Sequence, residues 1–186
     1  MTIRLLILLS RQGKVRLAKW YNATTRKDQT RILKEVSNMV LNRASNLCNF
    51  LEWKDGKIVY KRYASLYFVA GSHRFPELAV VTDKEDNELM TLETVHFFVE
   101  TLDRYFGNVC ELDLIFKFHK AYYILDEVLI AGEQQETSKK EILRSCATQD
   151  LLMDPKNKDL DPNDLTAIDM LQENLKKAGL AKDNDL

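Results

Sequence analysis

Three histidines, three cysteines and a few adjacent carboxylates are the side chains in this sequence that could perform acid–base, nucleophilic or metal chemistry. His73, His96 and His119 are scattered, and the stretch HFFVE from His96 to Glu100 lacks the second histidine that a helical zinc hydrolase site requires. These imidazoles read as structural or solvated groups. Cys48, Cys110 and Cys146 are an odd number without C-x-x-C spacing, so neither a disulfide framework nor a zinc knuckle is indicated, and a reducing, cytosolic setting is expected. Cys110 follows a turn near a helix start, where a thiolate could be stabilised, but its apolar flanks favour a small buried hydrophobe. Glu111 with Asp113, and Asp126 with Glu127, could serve acid–base work. With no base or metal partner beside them, they read as charged helix faces.

The phosphate-loop, dinucleotide-binding and nucleophile-elbow motifs are absent, and six glycines leave few places to cradle a phosphate. No catalytic residue, metal site or cofactor is therefore assigned, and the chain reads as a non-enzyme. The run YKRYASLYF interleaves Lys61 and Arg62 with aromatic residues as a base-stacking sheet would. Alternation of those aromatics across two faces argues for core packing instead. The 27 basic and 28 acidic residues nearly cancel, so no overall field would draw nucleic acid, and none is expected as a partner.

A chain of 186 residues that is 45% hydrophobic can build one compact core. The apolar run IRLLILLS is too short for a membrane span and reads as a buried strand, with Gly13 turning it into an antiparallel second strand. A helix follows, capped by Thr24 or Thr25, with Ile32, Leu33, Val36, Met39 and Val40 on its inner face. The strand-like runs around KDGK predict a hairpin with Asp55-Gly56 in a type I′ turn, and ASLYFVA continues as a further strand after a bend near Ala64.

Residues 71–85 read as a long loop. From Asp86 a helix carries Leu92, Val95, Val99, Leu102 and Phe106 down one face and stops at Gly107. The next segment, CELDLIFKFHKAYYILDEVLIAG, reads as one helix so apolar that it should be buried against more than one neighbour, with Leu114, Phe118, Tyr122, Leu125 and Leu129 as its stripe. A fourth helix should begin near Thr137 or Ser138. The order predicts an α+β domain over residues 1–152, followed by an acidic, mobile tail at 153–186 with a short helix from Pro162 to Lys177.

SRQGKVRLAKWY, LEWKDGKIVYKRYASLYF and DNELMTLETVHFFVETLDRYFGNVCELDLIFKFHKAYYILDE together closely resemble the sigma, or small, chains of heterotetrameric clathrin adaptor complexes. The resemblance is nearly continuous from about residue 3 to about residue 150. It implies a longin-like (profilin-like) five-stranded antiparallel sheet flanked by helices. SRQGK, YKRYASLYF and DNEL are most similar to the sigma chain of adaptor complex one; the plasma-membrane adaptor is the alternative, and a stand-alone longin regulator of a small GTPase or SNARE is a further one. Two stretches depart from the family: the loop insertion at about 71–85 and the length of the tail.

The resemblance further implies partners: gamma-type and beta-type large adaptins, a medium mu chain, and cargo tails bearing an acidic residue separated by three residues from a leucine pair. Clathrin, an Arf-type GTPase and phosphoinositide membranes enter through other subunits. A peripheral, cytoplasmic place on the trans-Golgi network, endosomes and coated vesicles is implied with them. Carried over by position, the leucine pocket falls on Ala64, Leu66, Val99, Asn108, Val109 and Leu114, with Arg16 near the acidic residue of the signal. Lys61 and Arg62 are basic neighbours that would add positive field. The expected groove lies between Val99 and Leu114, beside the Asn108-Val109 turn, with the Asn108 amide facing the peptide backbone.

Overall fold

The structure, a computed structural model, describes residues 3–44, 46–54, 56–63, 65–71 and 87–153; the side chains of Leu151 and Leu152 are not described. Ala64, His73, most of the 71–85 insertion and the tail beyond Met153 lie outside the described residues. The chain forms two compact units, Met1–Gln135 and Glu136–Leu186.

The first unit begins with β1 (Leu5–Ser10) and β2 (Val15–Trp20), paired antiparallel. Gly13 makes the turn at φ +78, where a Cβ would come within 2.9 Å of Leu41 Cδ1, while the Ser10 hydroxyl accepts from the N–H groups of Gln12 and Lys14. Helix α1 (Arg26–Leu41) follows, and its N-cap resolves to Thr25, whose hydroxyl accepts from the Asp28 N–H. Ile32, Val36 and Val40 are buried and Leu33 and Met39 partly so, as the sequence periodicity predicts.

Strands β3 (Phe50–Trp53), β4 (Gly56–Tyr63) and β5 (Leu66–Gly71) complete a five-stranded sheet ordered β2-β1-β5-β4-β3, antiparallel throughout. The first hairpin turn differs from expectation by one position. Trp53 pairs with Gly56, so Gly56 opens β4 instead of standing in the turn, and Lys54 takes the left-handed conformation at φ 54.

One face of the sheet packs on α1 through Leu5, Ile7, Leu9, Ile58, Tyr60 and Val69. The other face receives α2 (Glu88–Phe106), where Phe68 meets Phe98 edge to face at a centroid distance of 6.2 Å. Asn87 caps α2 by accepting from the Leu89 N–H, and Gly107 ends it in the left-handed conformation at φ 64.

The long apolar helix expected next is two helices, α3 (Glu111–Phe116) and α4 (Phe118–Val128), broken at Lys117 with φ −119 and ψ 35. The break lets both pieces engage the edge strand. Glu111 on α3 pairs with Arg16, Asp126 on α4 pairs with Lys19 at 2.7 Å, and the Tyr122 hydroxyl both donates to the Ala18 carbonyl and accepts from the Ala18 N–H. An open strand edge is thereby covered. The expected all-round burial does not hold: Leu114, Ile124, Leu125 and Val128 are buried, but Phe116 is 75% and Phe118 54% exposed. Helix α4 also stops short of Gly132. A small hairpin follows, β6 (Leu129–Ile130) with β7 (Glu133–Gln134), turned by Ala131 and Gly132 at positive φ, and the Gly132 carbonyl accepts from the Ile3 N–H.

In the second unit, α5 (Lys139–Met153) starts where expected, with the Ser138 hydroxyl accepting from the Glu141 N–H. Ile142 and Cys146, one turn apart, are buried. Among the described residues no helix is long and apolar enough to cross a membrane.

Burial and exposure of two phenylalanines make this arrangement testable. Phe98→Ala should cost about 3–5 kcal/mol in urea unfolding of the full chain, as for a fully buried aromatic. Phe116→Ala should change stability by less than about 0.5 kcal/mol; equal losses at the two sites would contradict the broken, partly exposed α3–α4 segment.

Candidate functional site

The turn end of the β4–β5 hairpin, the C-terminal half of α2 and the turn after Gly107 meet around a cleft of about 230 Å³. It is lined by Tyr63, Leu66, Phe68, Val99, Glu100, Asp103 and Val109. Leu66 and Phe68 share a face because they are two apart on one strand, and Tyr63 enters because it pairs directly with Leu66. Val99 and Asp103 are one helical turn apart on α2.

The turn that brings Val109 to this cleft is fixed by one residue. The Asp103 carbonyl accepts from the Gly107 and Asn108 N–H groups at 2.9 and 3.2 Å, and its carboxylate accepts from the Val109 N–H at 3.0 Å. Gly107 and Asn108 take consecutive positive φ values, 64 and 71, types that tolerate the left-handed region. Cys110 then caps α3, its N–H donating to the Asp113 carboxylate at 3.0 Å.

Tyr63 is held from three sides. Its hydroxyl lies 2.5 Å from His96 Nδ1 and its ring stacks on the imidazole at 5.9 Å with planes 4° apart. Phe68 meets the ring edge-on at 5.8 Å, and the Lys61 ammonium lies over it at 5.3 Å. His96 Nε2 is 3.7 Å from Glu100.

Of the residues assigned to the leucine pocket by resemblance, the fold brings Leu66, Val99 and Val109 together. Ala64 lies outside the described residues. Asn108 is exposed in the turn and Leu114 is 2% exposed inside α3; neither lines the cleft. The basic residues do not converge on it. Arg16 gives Nε and Nη2 to Glu111 Oε1 at 2.9 and 2.5 Å. Lys61 is on the α2 side of the sheet with Tyr63, whereas Arg62 points to the opposite face, over the Tyr67 ring at 5.8 Å.

Sequence reasoning missed Tyr63, Phe68, Glu100 and Asp103 as lining residues. Cross-strand pairing and the i+2 rule from Leu66, and the i+4 rule from Val99, would have reached three of the four. Cys110 is exposed rather than buried, because it stands outside the first turn of α3. His119 is exposed, and among the described residues no cluster of histidine, cysteine or carboxylate groups could hold a metal.

The family model described as clathrin adaptor complex small chain matches residues 2–153. The chain is 62% identical over 154 residues to AP-1 complex subunit sigma-2 of Dictyostelium discoideum, an alignment covering 83% of this chain and 94% of that protein. Against AP-1 complex subunit sigma-1 of Arabidopsis thaliana it is 56% identical over 152 residues, 82% of this chain and 88% of the relative. Against human AP-1 complex subunit sigma-1A it is 51% identical, covering 82% and 90%. Among structures, a chain of the full-length AP-3 complex, described as a homology model in a stretched open conformation, superimposes with a TM-score of 0.63 at 26% identity, over 86% of this chain and 99% of that one.

Asp113 gives the turn a pH dependence of known sign. The Cys110 N–H, then the Cys110 side chain, hold its carboxyl below the ordinary 3.8. Ionised Asp113 therefore stabilises the fold at every pH above that ordinary value, and the contribution is lost as pH falls through the lower folded value. Asp113→Ala should lower the thermal midpoint at neutral pH by a small amount, since the group is solvent-exposed, and the gap to the unaltered chain should close below about pH 4. A gap unchanged through that window would show that Asp113 does not act through its charge.

Proposed function

The chain belongs to the clathrin adaptor complex small-chain family, and from that premise we propose that it is the sigma subunit of a type-one adaptor heterotetramer that reads dileucine signals on membrane cargo. Its partners on this reading are gamma-type and beta-type large adaptins and a medium mu chain, with clathrin, an Arf-type GTPase and phosphoinositides reached through them. Its place of work is the trans-Golgi network and endosomes, where vesicles form. The relatives named above are all sigma subunits of AP-1, which favours this class over the plasma-membrane alternative.

The cargo-reading role rests on one observation: Leu66, Val99 and Val109, three positions that match the family's leucine pocket, meet in a single partly apolar cleft. Its volume is below the roughly 300–1,000 Å³ of sites built for drug-sized ligands and suits one or two side chains. Burying two leucines contributes about 1.5–3 kcal/mol each. Loss of translational and conformational freedom offsets much of this, so a short signal should bind at about micromolar strength. Several tails on one membrane supply the remainder by avidity.

Arg16 is the remaining part of the proposed signal site, and in the chain by itself Glu111 occupies it. An acidic side chain of the signal would have to take the place of Glu111 or share the guanidinium with it.

Two experiments test this reading. A tag on the chain should recover two large chains and one medium chain in equal amounts from cytosol; their absence would return the stand-alone regulator. In the assembled complex, Val109→Asp should weaken a dileucine peptide by about tenfold or more, the burial of roughly one leucine. Glu111→Gln should strengthen binding of peptides bearing the acidic residue relative to the same peptides with that acid neutralised. No change in either measurement, with assembly intact, would place the signal elsewhere.

A further inference from the structure

Tyr63 closes β4 opposite Leu66, and its ring lines the cleft from the sheet side. The ring is only half-buried, so side-chain contacts must hold it in place. Phe68 and Lys61 hold it from the sheet. His96 reaches it from α2, the helix that carries Val99 and Asp103 on the opposite wall. The Tyr63–His96 contact therefore spans the two walls and sets their separation. Lys57 and Glu88 tie the other end of β4 to the start of α2.

The direction of that hydrogen bond follows from what surrounds the imidazole. Glu100, one turn further along α2, sets a carboxylate 3.7 Å from Nε2, beyond hydrogen-bond length but near enough for its charge to favour a proton on that nitrogen. Glu100 engages another group as well, and only its negative charge beside Nε2 matters here. With the proton on Nε2, Nδ1 is an acceptor and the Tyr63 hydroxyl donates to it. An imidazolium has two donors and no acceptor, so protonation would leave the tyrosine proton without its partner. Lys61, over the same ring, would add like charge. Glu93 stands exposed one turn before His96, and β5 turns Tyr67 to the far face of the sheet. Helix α4, which also packs on α2, commits Tyr122 and Asp126 to β2, gathers His119 and Lys120 around its own Tyr123, and leaves Glu127 exposed.

We propose that His96 is a positioning residue of the cleft, holding the Tyr63 ring as its wall by accepting from the tyrosine hydroxyl while the imidazole is neutral and releasing it when the imidazole is protonated. The inference rests on the cargo-reading role proposed above and adds to it a residue outside the leucine pocket. Histidine changes charge between about pH 5 and 8, so signal binding weakens across that range as pH falls.

The test uses the heterotetramer assembled with the full chain and a fluorescent peptide carrying the acidic residue and the leucine pair, its affinity read from about pH 7.5 to about pH 5.5. The unaltered complex should lose about three- to tenfold across that window, the weight of one hydrogen bond. His96→Leu should bind more weakly by about the same factor at the upper pH and lose little more on acidification. Tyr63→Phe keeps the ring against Phe68 and removes only the hydroxyl, so it should behave like His96→Leu and stands in for it if that variant fails to assemble. His96→Asn places an oxygen near the position of Nδ1 and cannot titrate; it should recover most of the lost affinity, with a flat pH profile.

A pH slope that persists in Tyr63→Phe and His96→Leu would overturn the assignment to this pair, since a merely structural histidine would lower affinity without changing the slope. A flat profile in an unaltered complex that binds the peptide would overturn the positioning role while leaving the dileucine reading intact. Failure of the assembled complex to bind the peptide at any pH would overturn the dileucine reading, and the role of His96 with it.

Discussion

Everything in the first unit follows from a strand that cannot tolerate water on either face. All six residues of β1 are buried, and β5 beside it is nearly as apolar. A sheet whose inner strands are hydrophobic on both sides must be covered on both sides, so α1 is committed to one face and α2 to the other. With α2 on that face, the turn end of the β4–β5 hairpin lies against the C-terminal half of α2. That meeting place is the cleft. Its location is thus a by-product of core burial, and its specificity lies in the few residues that surround the opening.

Covering the second edge imposes the next constraint. β2 has an open side, and the Tyr122 hydroxyl satisfies both backbone groups of Ala18 there. Ion pairs flank that contact on either side, Arg16 with Glu111 and Lys19 with Asp126. For α3 and α4 to reach these points the chain must reverse sharply after α2, and Asp103 holds that reversal with three backbone hydrogen bonds. One residue therefore holds the turn, through its carbonyl and its carboxylate, and places that carboxylate on the cleft. Geometry and electrostatics of the site are coupled at Asp103, and evolution or mutagenesis can alter one without the other only through its amide isostere.

Local signals in the sequence revealed the features that depend on local physics. The stripe of α1, the glycine stop of α2 and both sheet hairpins were legible because periodicity and turn chemistry act within a few residues. Features decided by distant partners were not. Lys117 breaks a helix with no proline or glycine near it, because the two halves answer to Arg16 and Lys19 nearly a hundred residues earlier. Gly56 opens β4 opposite Trp53 instead of standing in the turn, a register that the Asp-Gly signal by itself does not give. The site itself was not legible from periodicity at all. Val99 reads as one more core residue of α2, and only resemblance to the small-chain family singled it out together with Leu66 and Val109. That resemblance did not reveal that Leu114 is packed inside α3, or that Glu100 and Asp103 face the same cleft.

The engagement of Arg16 bears on how a dileucine signal would divide its energy. Glu111 already supplies a carboxylate to that guanidinium, so an incoming acidic side chain exchanges one charge-assisted contact for another and gains little net free energy. The displaced Glu111 returns to water, which offsets part of the desolvation of its replacement. Net affinity on this reading comes from leucine burial against Leu66, Val99 and Val109, whereas the acid sets orientation and excludes peptides that would leave Arg16 unpaired. Affinity and selectivity are then carried by different ends of the signal. On the same reading, the apolar end is taken up by burial in the cleft and the acidic end by exchange at an arginine that already holds a carboxylate.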